Sequence, residues 1–218
     1  VVGGNRFIAR LDANNGTLDG TFTGRADDTV RAILVRTNGS GNIVIGGDFL
    51  TNNATPTSRL AELDTTGAVV DTFSTNLLAN GPVYAIAYAP QGGERILVGG
   101  AFTTLGGSNS PHLGILTASG LYDQATWNED PNNRGTDGNV YAIKVQSSGR
   151  IFVGGSFNNV GTNSGANFVN LPTSGDGRLM RKMQSYKDYR SPAASVLAIA
   201  LNASENAYVG GDFVPSIF

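Results

Sequence analysis

A tandem repeat of about 55 residues is the feature that most restricts what this chain can fold into. Its first landmark is Val-x-Ala-Ile, which begins at Val30, Val83, Val140 and Val196, so that successive starts lie 53, 57 and 56 residues apart. Self-similarity at a fixed period indicates that each unit is one supersecondary structure, which buries its faces by stacking on its neighbours. The structure of one repeat unit must therefore be assigned before the fold of the whole chain.

The second landmark is an apolar residue followed by Gly-Gly-x-Phe. Its constant positions are Gly46, Gly47, Phe49, Gly99, Gly100, Phe102, Gly154, Gly155, Phe157, Gly210, Gly211 and Phe213. The x position is variable and holds Asp48, Ala101, Ser156 and Asp212. Paired glycines weaken a strand unless another backbone comes close or the strand bulges. We therefore expect a close approach or a bulge at each pair, and each phenylalanine wedged between neighbouring sheets.

A turn glycine followed by apolar residues is the third landmark, at Gly16, Gly67, Gly120 and Gly177. Each unit then reads as four short strands, with a polar loop after the phenylalanine. Short strands separated by regular turn signals predict an all-β fold. Four strands per unit favour a β-propeller built from four-stranded blades over a sandwich, and the unit is longer than the usual coil of a β-solenoid.

The repeat also resembles a known family. Ile8-Ala-Arg-Leu-Asp12 and Gly16-Thr-Leu-Asp19, together with the Ala-Ile and Gly-Gly-x-Phe sets, resemble the delta-60 repeat family. This is a propeller-type repeat of bacterial surface and secreted proteins and of some phage proteins. The resemblance covers nearly the whole chain. It implies a β-propeller in a surface or structural setting, and it supplies no catalytic residues.

The landmarks divide the chain into a partial blade over 1–29, blades over 30–82, 83–139 and 140–195, and a partial blade over 196–218. The step from the glycine pair to the turn glycine is 21, 21 and 23 residues in the complete units but 13 from Gly3 to Gly16. This difference predicts a gap in the chain after Gly4, before Asn5. Both ends carry a Gly-Gly strand, so we expect a section of a longer repeat array, or an incomplete ring that a partner completes.

Composition excludes several classes of function. A net charge of −2 argues against nucleic acid as a partner, and no apolar run is long enough for a membrane span. The absence of cysteine removes thiolate metal sites and cysteine nucleophiles. His112 is the only histidine, and its place in the repeat is filled by other residue types in the sister units, so we interpret it as structural. We predict no enzyme, no catalytic residue and no cofactor.

The predicted function is a scaffold or recognition surface in a larger extracellular, cell-surface or virion assembly, such as a fibre or appendage. The expected partners are other protein subunits or the remainder of a longer chain. One alternative is a carbohydrate-binding adhesin module, suggested by Trp127 and the tyrosines, with glycans as ligands. Another is a hydrolase that takes its acids from separate blades, as distant loops of a propeller can meet.

Two stretches depart from the repeat. Asp130, Asn132 and Asp137 lie in an oxygen-rich loop of the kind that calcium favours, although the EF-hand glycine and closing glutamate are out of place and an ordinary inter-blade turn explains the loop better. Basic and tyrosine side chains of the type found in contact hot spots are concentrated further along the chain. They are Arg181, Lys182, Tyr186, Tyr189 and Arg190, which a solvated strand and linker would also explain.

Overall fold

The computed structural model describes residues 7–74, 79–90, 92–123, 135–161, 163–171 and 195–212. Within them the chain is nearly all β. Three antiparallel sheets have three strands each: β1 (Val30–Val35), β2 (Ile43–Gly47) and β5 (Leu60–Leu63); β6 (Val83–Tyr88), β7 (Ile96–Gly100) and β10 (Leu113–Leu116); and β11 (Asn139–Val145), β12 (Ile151–Ser156) and β15 (Phe168–Leu171). A fourth sheet pairs β16 (Val196–Leu201) with β17 (Ala207–Gly211).

Every sheet is built in the same way. The Val-x-Ala-Ile strand pairs with the strand that ends in Gly-Gly, and in the first three sheets this central strand also pairs with the third strand. Valine and isoleucine recur in the first two strands of every sheet, which suits a pleated and well-packed surface. The four repeat units of the sequence therefore correspond to four successive sheets.

In the first two sheets the fourth strand is reduced to a single bridge. Leu63 pairs with Val69 in the first sheet, and Leu116 pairs with Tyr122 in the second. In the first sheet the chain leaves the ladder because the helical turn α1 (Asp71–Ser74) follows at once and buries Phe73. Burial of a large aromatic side chain outweighs a few more ladder hydrogen bonds.

The loop after each phenylalanine forms a small hairpin. These hairpins are β3 (Thr51–Asn52) with β4 (Thr55–Pro56), β8 (Thr104–Leu105) with β9 (Ser108–Asn109), and β13 (Asn159–Val160) with β14 (Asn163–Ser164). Two consecutive residues with positive φ, such as Asn53 and Ala54, form the turn of the first. That geometry matches the twist of a two-residue hairpin. The sequence predicted only a polar loop here.

Neighbouring sheets pack against one another in chain order. The first strand β6 contacts both β1 and β11, and β11 also contacts β16. Each central strand touches the first strand of the next sheet, as β2 does with β6. Buried apolar clusters fill the spaces between sheets, and the row of sheets does not close on itself. No helix in the described part of the chain has the length and apolar character to cross a membrane.

Candidate functional site

In the first three pairs, the first glycine packs against the first strand of the next sheet. A Cβ atom added to Gly46 would lie 2.5 Å from Val83 Cγ1 and 2.9 Å from Ile86 Cδ1. The same arrangement recurs where Gly99 meets Val140 and Ile143 and where Gly154 meets Val196 and Ile199. The valine and isoleucine of one Val-x-Ala-Ile motif thus fill the space that the preceding glycine leaves. We call this contact the glycine seam.

The second glycine accommodates a bulge within its own sheet. In β1 the register shifts between Val30 and Ala32, so that Arg31 is the additional residue. The bulge brings the carbonyl oxygen of Thr29 against Gly47, where any Cβ would overlap it. Gly100 and Gly155 meet the carbonyl oxygens of Pro82 and Asn139 in the same way. The first three Gly-Gly pairs therefore each serve two separate close approaches.

The phenylalanine that follows lies between two sheets. Phe49, Phe102 and Phe157 are buried in three separate clusters. The cluster around Phe102 contains Leu60 of the preceding sheet and Val98 of its own. Gly210 and Gly211 end the last sheet. Among the described residues, a Cβ atom added to Gly210 would meet only the Cβ atom of Ala198, at 3.9 Å. Phe213 lies outside the described residues.

A carboxylate or amide three residues before each of the first three Val-x-Ala-Ile motifs holds the hairpin of the same unit. Oδ1 of Asp27 accepts hydrogen bonds from the backbone N–H groups of Leu50 and Thr51. Asn80 does the same for Thr103 and Thr104, and Asp137 for Asn158 and Asn159. These side chains form a set of interchangeable clamps.

Asp137 therefore has a structural role of its own. Burial acts to raise its pKa, but hydrogen bonds from the backbone and side chain of Asn159 and the backbone of Asn158 bring the pKa below its usual 3.8. The other two calcium candidates, Asp130 and Asn132, lie outside the described residues. In the described part of the chain, no three His, Cys, Asp or Glu side chains come together as a metal site.

In two sheets the bulged residue of the first strand forms a hydrogen bond with the variable residue of the Gly-Gly-x-Phe motif, and the other two sheets carry the equivalent positions. A bulge re-aims a side chain out of the regular alternation. The pairs, which together we call the bulge row, are Arg31 with Asp48, Tyr84 with Ala101, Tyr141 with Ser156, and Leu197 with Asp212. The two positions that vary inside otherwise constant motifs are thus in direct contact in the first and third sheets.

Contacts link the bulge row across sheets. The Arg31 guanidinium makes a forked ion pair with Asp48, with Nε 3.0 Å from both carboxylate oxygens, and lies 5.3 Å from the centre of the Tyr84 ring. The rings of Tyr84 and Tyr141 are 5.4 Å apart and tilted by 35°. Ser156 donates to the Tyr141 hydroxyl at 3.3 Å. Leu197, at the end of the row, is 51% exposed.

Hydrogen bonding and burial raise the pKa values of two groups of the bulge row, Arg31 and Tyr84. The hydrogen bonds to Asp48 raise the pKa of Arg31, which stays fully cationic. Burial is the main reason that the pKa of Tyr84 is raised, while Arg31 opposes the shift, so its phenol stays protonated at neutral pH. The row therefore presents one neutralised cation, two phenol groups and an aliphatic side chain. Such a surface is suited to contact and hydrogen bonding.

The first strands also line an open groove of about 470 Å³. Its walls include Ile33 of β1, Ile86 of β6, and Lys144 and Val145 of β11. These residues follow the bulge in each strand, so the groove runs on from the bulge row along the inner edge of the sheets.

His112 lies at a position of the repeat that requires a particular backbone conformation. Its φ is 61°, and the equivalent Arg59 and Asn167 also have positive φ. Its carbonyl oxygen accepts from Gly100 N–H, and its own N–H donates to the Phe102 carbonyl. Burial lowers the pKa of its imidazole, which is therefore neutral at pH 7. The position requires a backbone conformation that several residue types supply.

The predicted contact residues Arg181, Lys182, Tyr186, Tyr189 and Arg190, and also Trp127, lie outside the described residues, as does the predicted gap after Gly4. The sequence did not identify the bulge row. Its signal was present, since Val-x-Ala-Ile is constant except at x. The missing step was the bulge, which places x beside the variable residue of the second motif.

Two comparisons with known proteins bear on the fold. A family model described as "Domain of unknown function (DUF5122) beta-propeller" matches residues 39–73 and 146–179, which are corresponding parts of the first and third units. The crystal structure of the WD40 beta propeller domain of Doa1 aligns with a TM-score of 0.53 at 13% identity, over 85% of this chain and 49% of that one. The chain thus spans about half the length of that domain. No curated protein matches.

These similarities confirm the predicted architecture. The chain has an all-β fold of the β-propeller type, made of successive repeat sheets that do not close into a ring. The family model also indicates a β-propeller repeat family.

Proposed function

We propose that the chain is a non-enzymatic β-propeller repeat module that presents the bulge row as a recognition surface within a larger extracellular, cell-surface or virion assembly. The observation that carries this proposal is the contact between the two variable positions in the first and third sheets, together with the contacts that link Arg31, Tyr84 and Tyr141 across three sheets. Residues that only maintain the fold repeat from sheet to sheet, as the glycine seam does. Side chains that vary at one shared location are what a binding surface on a constant scaffold requires.

The composition of the row supports a protein partner. Tyrosine and arginine are enriched among the residues that dominate protein interfaces. Arg31 already has Asp48 as its counter-ion, so a partner would meet a neutral surface at this end of the row. The setting and the delta-60 repeat assignment rest on the sequence resemblance, and they are part of the proposal.

A comparison of matched variants tests this function. We expect wild-type protein, immobilised and exposed to the envelope or particle fraction of its source, to retain a defined set of subunits. Tyr84→Ser/Tyr141→Ser should lose that set, whereas Leu50→Ser, which changes an exposed leucine away from the row, should keep it. Thermal melting of each variant separates lost binding from lost folding. Equal retention by all three proteins would refute the recognition role.

Carbohydrate binding is the second candidate, and the tyrosine pair favours it. Arg31 covers the Tyr84 ring on the β1 side and Tyr141 approaches from β11, so Tyr141 is the better ring for a sugar to stack on. A glycan array probed with wild type and Tyr141→Ser distinguishes the candidates. Signals lost in the variant would identify a lectin-like role, and an array without signal would remove this candidate.

A further inference from the structure

Asparagine is followed by glycine at three places in the chain, Asn15–Gly16, Asn38–Gly39 and Asn80–Gly81. Because glycine has no Cβ, its backbone nitrogen can approach the side-chain amide of the preceding asparagine with little hindrance. All three asparagines are exposed, so solvent access does not distinguish them. Their hydrogen bonds and the space around their glycines do.

Asn38 lies in the turn between β1 and β2, and its side chain folds back over the peptide that follows it. Its Oδ1 accepts a hydrogen bond from the backbone N–H of Ser40 at 3.0 Å. The ring that this Asx turn closes contains both Cγ of Asn38 and the backbone nitrogen of Gly39. Gly39 has a φ of 81°, and among the described residues an added Cβ would meet nothing within 4 Å. The Gly39 nitrogen is therefore close to the amide carbon and free to move.

Asn80 has the same sequence but a fixed side chain. Its Oδ1 accepts from the N–H groups of Thr103 and Thr104, and its Nδ2 donates to Thr103 Oγ1 at 2.7 Å. Its glycine is also confined, because a Cβ atom added to Gly81 would lie 2.6 Å from the carbonyl oxygen of Ala101. The amide is thus tied to the hairpin, and the nitrogen that would attack it is packed against the next strand.

We propose that Asn38 is a site of spontaneous deamidation, with Gly39 as the internal nucleophile. The Gly39 nitrogen attacks Cγ and gives up its proton to solvent, the bond from Cγ to Nδ2 breaks, and ammonia leaves with a proton taken from water. Water then opens the cyclic imide at either carbonyl carbon and leaves aspartate or isoaspartate at position 38. Reacting atoms that are already held together need little further ordering to react.

Asn15 makes a related turn. Its Oδ1 accepts from the N–H of Thr17 at 2.9 Å and also from the hydroxyl of Thr17 at 2.7 Å. Gly16 has a φ of 71° and, like Gly39, open space among the described residues. The second hydrogen bond restrains the amide, so Asn15 reacts more slowly than Asn38 and faster than Asn80.

Deamidation at Asn38 changes a contact between the first and second sheets. The preceding residue, Thr37, donates to Glu94 Oε1 from its N–H at 3.0 Å and from its hydroxyl at 2.7 Å. A new carboxylate at position 38 adds negative charge beside Glu94. Isoaspartate also lengthens the backbone by one methylene next to Thr37. Both products weaken this contact, and neither effect depends on a ligand of the bulge row.

The test follows the whole folded chain during incubation in mildly alkaline buffer at body temperature. Mass spectrometry of one digest reads all three Asn–Gly pairs, because deamidation replaces an amino group by a hydroxyl, and chromatography separates isoaspartate from aspartate peptides. We expect Asn38 to convert at least about tenfold faster than Asn80. The same incubation in concentrated urea is the control. Unfolding removes the turn and the clamp, so the rates should become similar.

Asn38→Ser is the matched variant. Serine forms the same kind of turn but has no amide, and Ser148 stands at the equivalent place in the third unit, after Ser147. The variant should lack the acidic species that ion exchange resolves from aged wild-type protein by modification at position 38. Equal rates at Asn38 and Asn80 in the folded protein, or a difference that persists in urea, would overturn the proposal.

The modified and unmodified fractions from ion exchange also test the effect on the sheets. We expect the modified fraction to melt at a lower temperature than fresh protein. Asn38→Asp carries the charge without the longer backbone, so its midpoint should lie between the two. A modified fraction that melts like fresh protein would refute the weakened contact, whereas the digest alone decides whether Asn38 reacts.

Discussion

In the glycine seam the same side chains recur from sheet to sheet, whereas in the bulge row no two sheets carry the same pair. Gly99 with Val140 repeats Gly46 with Val83 almost atom for atom, at 2.5 Å in both cases from a hypothetical Cβ to Cγ1. Yet Arg31 faces Asp48 and Tyr141 faces Ser156 from equivalent bulges. The two regions are adjacent along the chain, since the seam residue Val83 directly precedes the bulge residue Tyr84.

The difference follows from the space available. The seam is closed on all sides by the next sheet, and close packing there admits one combination of volumes. The bulge directs its side chain away from that contact, so residues of different size and charge fit without disturbing the sheet. One motif therefore fixes the fold and leaves a variable surface beside it.

The strongest way to test this comparison is to truncate an aromatic side chain next to the seam. Phe102→Ala should lower the free energy of unfolding by about 3–5 kcal/mol, because a fully buried ring leaves a cavity between two sheets. Denaturant unfolding followed by tryptophan fluorescence or circular dichroism measures the loss. Leu197→Ala in the bulge row is the control and should stay within about 0.5 kcal/mol. Equal losses would remove the distinction between the two regions.

The seam should also respond to a small addition. Gly99→Val should cost about 1–3 kcal/mol, because its side chain meets Val140 and Ile143 of the next sheet. Gly210→Val is the matched control, since the same motif position there has open space among the described residues. Gly210→Val should leave the unfolding midpoint of the protein unchanged. A comparable loss at Gly210 would show that the cost comes from the strand itself and not from the neighbouring sheet.

Local signals explain how much of this arrangement was predictable. The Gly-Gly pairs and the following phenylalanines have one role in every unit, so repetition alone revealed a close approach and a wedge. The bulge at Arg31 was not visible, because Val30-Arg31-Ala32 alternates like any half-buried strand and the register shift appears only when β2 is paired with it. Likewise, the turn that buries Phe73 depends on the cluster around Leu60 and Phe102.

The bulge row should contribute much less to stability. Arg31→Ala should lower the free energy of unfolding by no more than about 1 kcal/mol, because its pair with Asp48 and its contact with Tyr84 are both partly exposed. Chemical denaturation at low and high salt measures the loss, which should shrink as salt screens the pair. The double variant with Asp48→Ala gives the coupling energy. A loss as large as that of Phe102→Ala would place this row in the core of the fold.

The smallest expected effect concerns the clamp residues before the first three motifs. They are the carboxylates Asp27 and Asp137 and the amide Asn80. Asp27→Asn should hardly change stability at neutral pH, because Asn80 accepts the equivalent pair of backbone hydrogen bonds in the next unit. The two versions should differ in acid. Burial opposes the shift, but the N–H groups of Thr51 and Leu50 lower the pKa of Asp27 below 3.8.

A carboxylate with a lowered folded pKa adds stability above its unfolded pKa and loses that contribution as the pH falls through the folded value. Wild-type protein should therefore lose more stability between neutral pH and about pH 3 than Asp27→Asn does. The converse variant, Asn80→Asp, should lose more than wild type. Unfolding midpoints across this range measure both differences. Parallel pH profiles for the three proteins would mean that the charge of the clamp is irrelevant and that only its acceptor oxygen matters.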